Sequence, residues 1–121
     1  MRQTVLKAVT TTSSGVMNAN YLENITFQFL CSGHASGNGV LTLLGSNDGV
    51  NYTALSFVDP TQANTNSQGL IRLTSLTLSS NTSAVGVIQN DTGKFEYLKW
   101  TVTVTTDGSY SVFVHADKKS S

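Results

Sequence analysis

Residues 98–114 read LKWTVTVTTDGSYSVFV. Side chains alternate across a strand, and here Leu98, Trp100, Val102 and Val104 fall on one face while Lys99, Thr101, Thr103 and Thr105 fall on the other. That period predicts a half-buried strand. After Asp107-Gly108, a pair suited to the positive φ angles of a two-residue turn, Tyr110, Val112 and Val114 resume the alternation. The spacing predicts a β-hairpin whose apolar face, Trp100 included, lies on a core.

The same period recurs upstream. Ile25, Phe27, Phe29 and Cys31 share one face of a strand predicted over 22–31, and Val40–Leu44, apolar on both faces, reads as central in a sheet. A strand near Thr4–Thr11 precedes the turn-prone Thr12-Ser13-Ser14-Gly15, and Tyr52–Val58, Leu70–Leu78 and Ala84–Ile88 supply three more. The parity shift between Leu73 and Leu76 predicts a bulge there. Glycine-rich 32–39 and polar 59–69 read as loops. No window carries a helical period with caps. About eight short strands in 121 residues predict an all-β chain: a single antiparallel β-sandwich, jelly-roll or immunoglobulin-like, spanning 1–121 with a short flexible tail at 117–121.

Composition narrows the function. Lys and Arg balance Asp and Glu to a formal net charge of zero, and charged residues are 12% of the chain. Neutralising phosphates takes a basic field, so nucleic acid is not expected as a partner. The polar surface is neutral instead, with 17 threonines, 15 serines and 10 asparagines. No apolar run approaches a membrane span, and MRQTVLKAVTTTSSG at the N-terminus has no continuous apolar segment of an export signal. Neither membrane association nor secretion is expected.

Residues able to do chemistry are sparse. Cys31 and His34 are three apart, but a structural zinc needs four ligands and the other histidine, His115, lies in the last strand. Cys31 reads as a small buried thiol. The carboxylates sit mostly beside Gly, Asn or Pro, where Asp stabilises turns through its own hydrogen bonds. We therefore expect no enzyme activity, no metal and no cofactor. The stretch GSNDGVNY, residues 45–52, is not followed by the helix a phosphate loop requires, nor by the spaced carboxylates of an EF-hand. It reads as a hairpin turn joining Val40–Leu44 to Tyr52–Val58. Asn47, Asp48 and Tyr52 within it, together with Asp91, are the residues placed for contact with a ligand or partner.

Three phrases carry a resemblance. Ser46-Asn47-Asp48-Gly49 followed by Tyr52, the strand Lys94-Phe95-Glu96-Tyr97-Leu98-Lys99-Trp100-Thr101-Val102, and Thr105-Thr106-Asp107-Gly108-Ser109-Tyr110 resemble segments of discoidin-like (F5/8 type C) jelly-roll domains. They are also similar to small β-sandwich structural proteins of tailed bacteriophages. Discoidin domains are longer and commonly close their ends with cysteines, whereas this chain has only Cys31. The phage resemblance implies a noncatalytic virion protein, made in the bacterial host cytoplasm and placed on the capsid surface. Its role would be decoration or cement. Its implied partners are the major capsid protein and copies of itself, as a homo-oligomer such as a trimer, with the strand near Thr4–Thr11 a candidate for strand addition. The alternative is a carbohydrate-binding or receptor-binding module of a phage tail or fibre, with a glycan as ligand.

Overall fold

The computed structural model describes residues 2–20, 22–58, 72–88 and 95–118. The polar interval 59–69, Asp91, and residues 119–121 of the expected tail lie outside them. Among the described residues there are eleven strands: β1 Arg2–Val9, β2 Ser13–Asn18, β3 Leu22–Ser32, β4 Gly37–Ser46, β5 Thr53–Leu55, β6 Phe57–Val58, β7 Arg72–Leu73, β8 Leu76–Leu78, β9 Ser83–Val87, β10 Tyr97–Thr106 and β11 Ser109–Lys118. They form two antiparallel sheets. One runs β1-β11-β3-β9-β6-β7; the other runs β2-β10-β4-β5, with β8 pairing β4 beside β5.

The pairings resolve the choice between the two sandwich topologies. β1 pairs β11, β2 pairs β10, β3 pairs β9 and β4 pairs β8. The chain is thus a long antiparallel ribbon folded back at its middle, then rolled so that β11 meets β3 and β10 meets β4. This is the jelly roll. β5, β6 and β7 are short additions between β4 and β8. The expected sandwich is present, with eight frame strands and three extra ones.

Alternation supplies the core. In β10 the residues buried are Leu98, Trp100 and Val102, in β11 Tyr110, Val112 and Val114, and in β3 Ile25, Phe27, Phe29 and Cys31. Burying each large side chain contributes about 1.5–3 kcal/mol, and rings link the layers. Phe27 of the six-stranded sheet meets Trp100 of the other edge-on at 5.0 Å between centroids, and Phe57 edge-on at 5.1 Å. Tyr110 stacks on Phe29 at 5.8 Å. Trp100 is the core anchor its phase predicted.

The expected Asp107-Gly108 hairpin is not formed. β10 and β11 lie in opposite sheets, and the chain crosses between layers at this corner. Alternation is identical whether a strand pairs with its predecessor or faces it across a core, so periodicity alone does not distinguish the two. The corner is specified by other means. Thr106 and Gly108 both have positive φ, 76° and 106°, and the Asp107 carboxylate accepts hydrogen bonds from the backbone N–H of Ser36 (3.0 Å) and Ala35 (3.3 Å) in the β3–β4 connection. The Ser36 N–H above all holds the Asp107 carboxyl below its ordinary range. One aspartate thereby ties two crossovers together.

Other local readings are corrected in the same way. Ser13–Asn18 is a strand, not a turn, paired with β10 along its whole length. Its inward positions are Gly15 and Met17 while Val16 faces out, 52% exposed, so hydropathy alternation is inverted at the glycine. The segment Tyr52–Val58 divides at Ser56 into β5 and β6 in different sheets. Likewise the parity shift between Leu73 and Leu76 is no bulge: β7 and β8 belong to different sheets. The 32–39 loop is shorter than expected because β4 begins at Gly37.

Candidate functional site

The 45–52 segment is the hairpin the sequence predicts. β4 and β5 pair through Leu43–Leu55, Leu44–Ala54 and Gly45–Thr53, leaving residues 47–52 as its loop. At its root is Ser46, buried at 3% exposure. The Ser46 hydroxyl donates to Asp48 Oδ1 at 2.8 Å and accepts from the backbone N–H of Gly49 at 2.9 Å and of Asp48 at 3.2 Å. Asp48 Oδ1 further accepts from the N–H of Val50 and of Asn51, both at 2.8 Å, and Oδ2 from Asn51 Nδ2 at 2.7 Å. This is the serine and aspartate turn chemistry that loops use to satisfy their own backbone.

Those bonds decide what Asp48 can do. The N–H groups of Asn51 first, then Val50, stabilise its ionised form and hold its carboxyl far below the ordinary value of 3.8. Both oxygens face donors within the loop. A calcium ion takes six to eight oxygen ligands, and a carboxylate already accepting four hydrogen bonds from its own turn is poorly free to join them. Among the described residues no cluster of three or more His, Cys, Asp or Glu side chains is assembled.

A depressed carboxyl pKa contributes stability that is present above its unfolded value and lost as pH falls through its folded value. The Asp48 contribution to the loop is therefore complete at neutral pH and fades only below about 3.8. We predict that Asp48→Ala removes amide-exchange protection at Val50 and Asn51 at neutral pH while leaving β4 protected. Unchanged protection at both amides would refute the assignment.

Asn47 and Tyr52 have separate jobs. Asn47 Oδ1 accepts from the N–H of Glu96 at 3.0 Å, while the Glu96 carbonyl accepts from the N–H of Ala19 at 2.7 Å. The start of β10 is gripped from both sides. Tyr52 is half-buried, and Lys99 Nζ on β10 stands 5.2 Å from its ring centroid, a cation–π contact that occupies one position on the ring. The structure thus gathers Asn47, Asp48 and Tyr52 around one hairpin, with Asp91 outside the described residues.

Cys31 is a free buried thiol. His34 does not approach it through a hydrogen bond; its Nε2 pairs with the Gly37 carbonyl at 2.8 Å. No described helix is long and apolar enough to cross a membrane.

A different concavity went unread in the sequence. It lies on the outer face of the six-stranded sheet, about 550 Å³, lined by Arg2, Gln28, Val85, Phe113 and His115 among others. The signal for it is Phe113, an aromatic at outward parity between the buried Val112 and Val114.

No family model matches this chain, and no curated protein matches it in sequence. Among solved structures, one described as the crystal structure of the SPBc2 prophage-derived protein YomS is similar, with a TM-score of 0.66 over 97% of this chain and 92% of that one. The likeness is one of fold. The two share 14% sequence identity.

Proposed function

We propose that this chain is a noncatalytic structural protein of a tailed-phage virion, acting as a capsid decoration or cement protein that binds the major capsid protein lattice. The observation carrying this reading is the end-to-end likeness of fold to a prophage-derived protein, 97% of one chain against 92% of the other. Two features support it. Asp48 and Asp107 are committed to holding loops. β1, the segment expected to add to a neighbour, is an edge strand, paired among the described residues with β11 alone.

Assembly with further copies belongs to the same proposal. An edge strand presents unpaired backbone donors and acceptors to which another chain can add. Purified virions analysed by quantitative mass spectrometry are expected to contain hundreds of copies per particle, the order set by a capsid lattice. A few copies or a few dozen would assign the protein to tail, neck or fibre, and its absence from particles would overturn the virion reading.

A further inference from the structure

The concavity on the six-stranded sheet is built by two rows of outward side chains. Register places Phe113, Gln28 and Val85 in one row across β11, β3 and β9, and Arg2, His115, Thr26 and Val87 in the next, which extends to β1. Its apolar part is Phe113 with Val85 and Val87, and Val85 is 36% exposed. Phe27, Gly86 and Val114, all at inward parity, form the floor between the two rows. The volume, about 550 Å³, is that of a ligand site.

Among the described residues that line it, its charge has one sign. The Arg2 guanidinium carbon lies 5.0 Å from the Phe113 ring centroid, and among the described residues no carboxylate pairs with it. A guanidinium spread on an aromatic ring keeps its N–H fork free for a planar oxyanion, and an arginine–carboxylate fork is stronger and more directional than a single neutral hydrogen bond. His115, its neighbour across the β1–β11 pair, adds a ring nitrogen on the same side.

We propose that this face binds a segment of a partner protein that presents a carboxylate beside an apolar side chain, the carboxylate on Arg2 and the apolar group against Phe113 and Val85. A second copy of this chain is less suited as the occupant. Of its five described carboxylates, Asp48 and Asp107 are held within their loops and Asp117 Oδ2 accepts from Asn24 Nδ2 at 3.0 Å, which leaves Glu23 and Glu96. The proposal deepens the virion reading, on which it rests for the partner being a protein lattice, but the site itself is testable without particles.

The probe is hexanoate, an apolar chain ending in a carboxylate, titrated into the isotope-labelled protein at constant ionic strength with hexanamide as the uncharged control. Saturable amide shifts are expected at Gln28, Val85, Phe113 and His115. Binding should weaken roughly tenfold or more for hexanamide and for Arg2→Gln, with Arg2→Lys intermediate because it keeps the charge and loses the fork. Amides far from the site report whether each variant is folded. Equal binding of hexanamide, retained binding in Arg2→Gln, or no shifts would overturn the proposal, as would a dimer abolished by Arg2→Gln, which would give the face to a second copy. If the shifts fail while virions still carry hundreds of copies, on the lattice order, the surface is wrong and the virion reading stands.

Discussion

Replacing Trp100 by alanine is expected to cost about 3–5 kcal/mol, a large part of the stability of an ordinary domain. The indole is fully buried at the centre of the five-stranded sheet, its backbone paired to Gly15 on one side and Leu43 on the other. Its ring contacts Phe27, which in turn contacts Phe57. Truncation would open a cavity beneath all of these at once, and the surrounding strands, hydrogen-bonded on both edges, have little freedom to collapse into it.

Trp100→Phe makes the test specific. The indole Nε1 is buried without a hydrogen-bond partner, a state that costs about 1–3 kcal/mol. Phenylalanine gives up ring volume but also removes that unpaired donor, so the two changes partly offset. Chemical denaturation is expected to show Trp100→Phe losing less than half of what Trp100→Ala loses. Equal losses would mean that the N–H is satisfied after all, and a Trp100→Ala midpoint near that of the parent would show that the indole does not anchor the core.

Gly39→Ala is the second large effect, expected to destabilise by about 1–3 kcal/mol through overpacking. A Cβ at Gly39 would stand 2.3 Å from Tyr110 Cε1 and 2.6 Å from two further ring carbons. Tyr110 has no room to yield. It is fully buried, stacks on Phe29, and its hydroxyl donates to the Asp107 carbonyl at 3.2 Å. Because Gly39 lies on β4 and Tyr110 on β11, the added methyl presses the two sheets apart. The double variant Gly39→Ala/Tyr110→Leu should recover part of the loss, since the leucine lacks the ring that clashes. If Gly39→Ala alone melted with the parent, the close approach would be disproved.

The faces of the long strands were legible because burial on one side leaves a period-two trace, as in β3, β10 and β11. Sheet membership was not, because a strand shows the same trace whether its neighbour in sequence lies beside it or across the core. That is why Asp107-Gly108 reads as a hairpin while acting as a corner between layers, and why Leu70–Leu78 reads as one strand. β2 escaped notice for a different reason: its inward Gly15 is tolerated only because β1 fills the space, with Val5 Cγ1 2.6 Å from where a Cβ would be. In the 45–52 loop, the Asp-Gly signal identified the turn and the aspartate, but not the buried Ser46 that organises it. Arg2 and Phe113, more than a hundred positions apart, could be associated only through the pairing of β1 with β11.

The rolled-ribbon pairing also dictates when this chain can fold. β11, the last described strand, is the partner that β1 and β3 share, standing between them in the six-stranded sheet. On a ribosome, β1 has no neighbour and β3 only one until residues near 118 have emerged, and every such contact must close a long loop. Until then β3 carries an unpaired edge lined with Phe27 and Phe29, a surface prone to association with other nascent chains. Closure of the six-stranded sheet therefore waits on synthesis through β11.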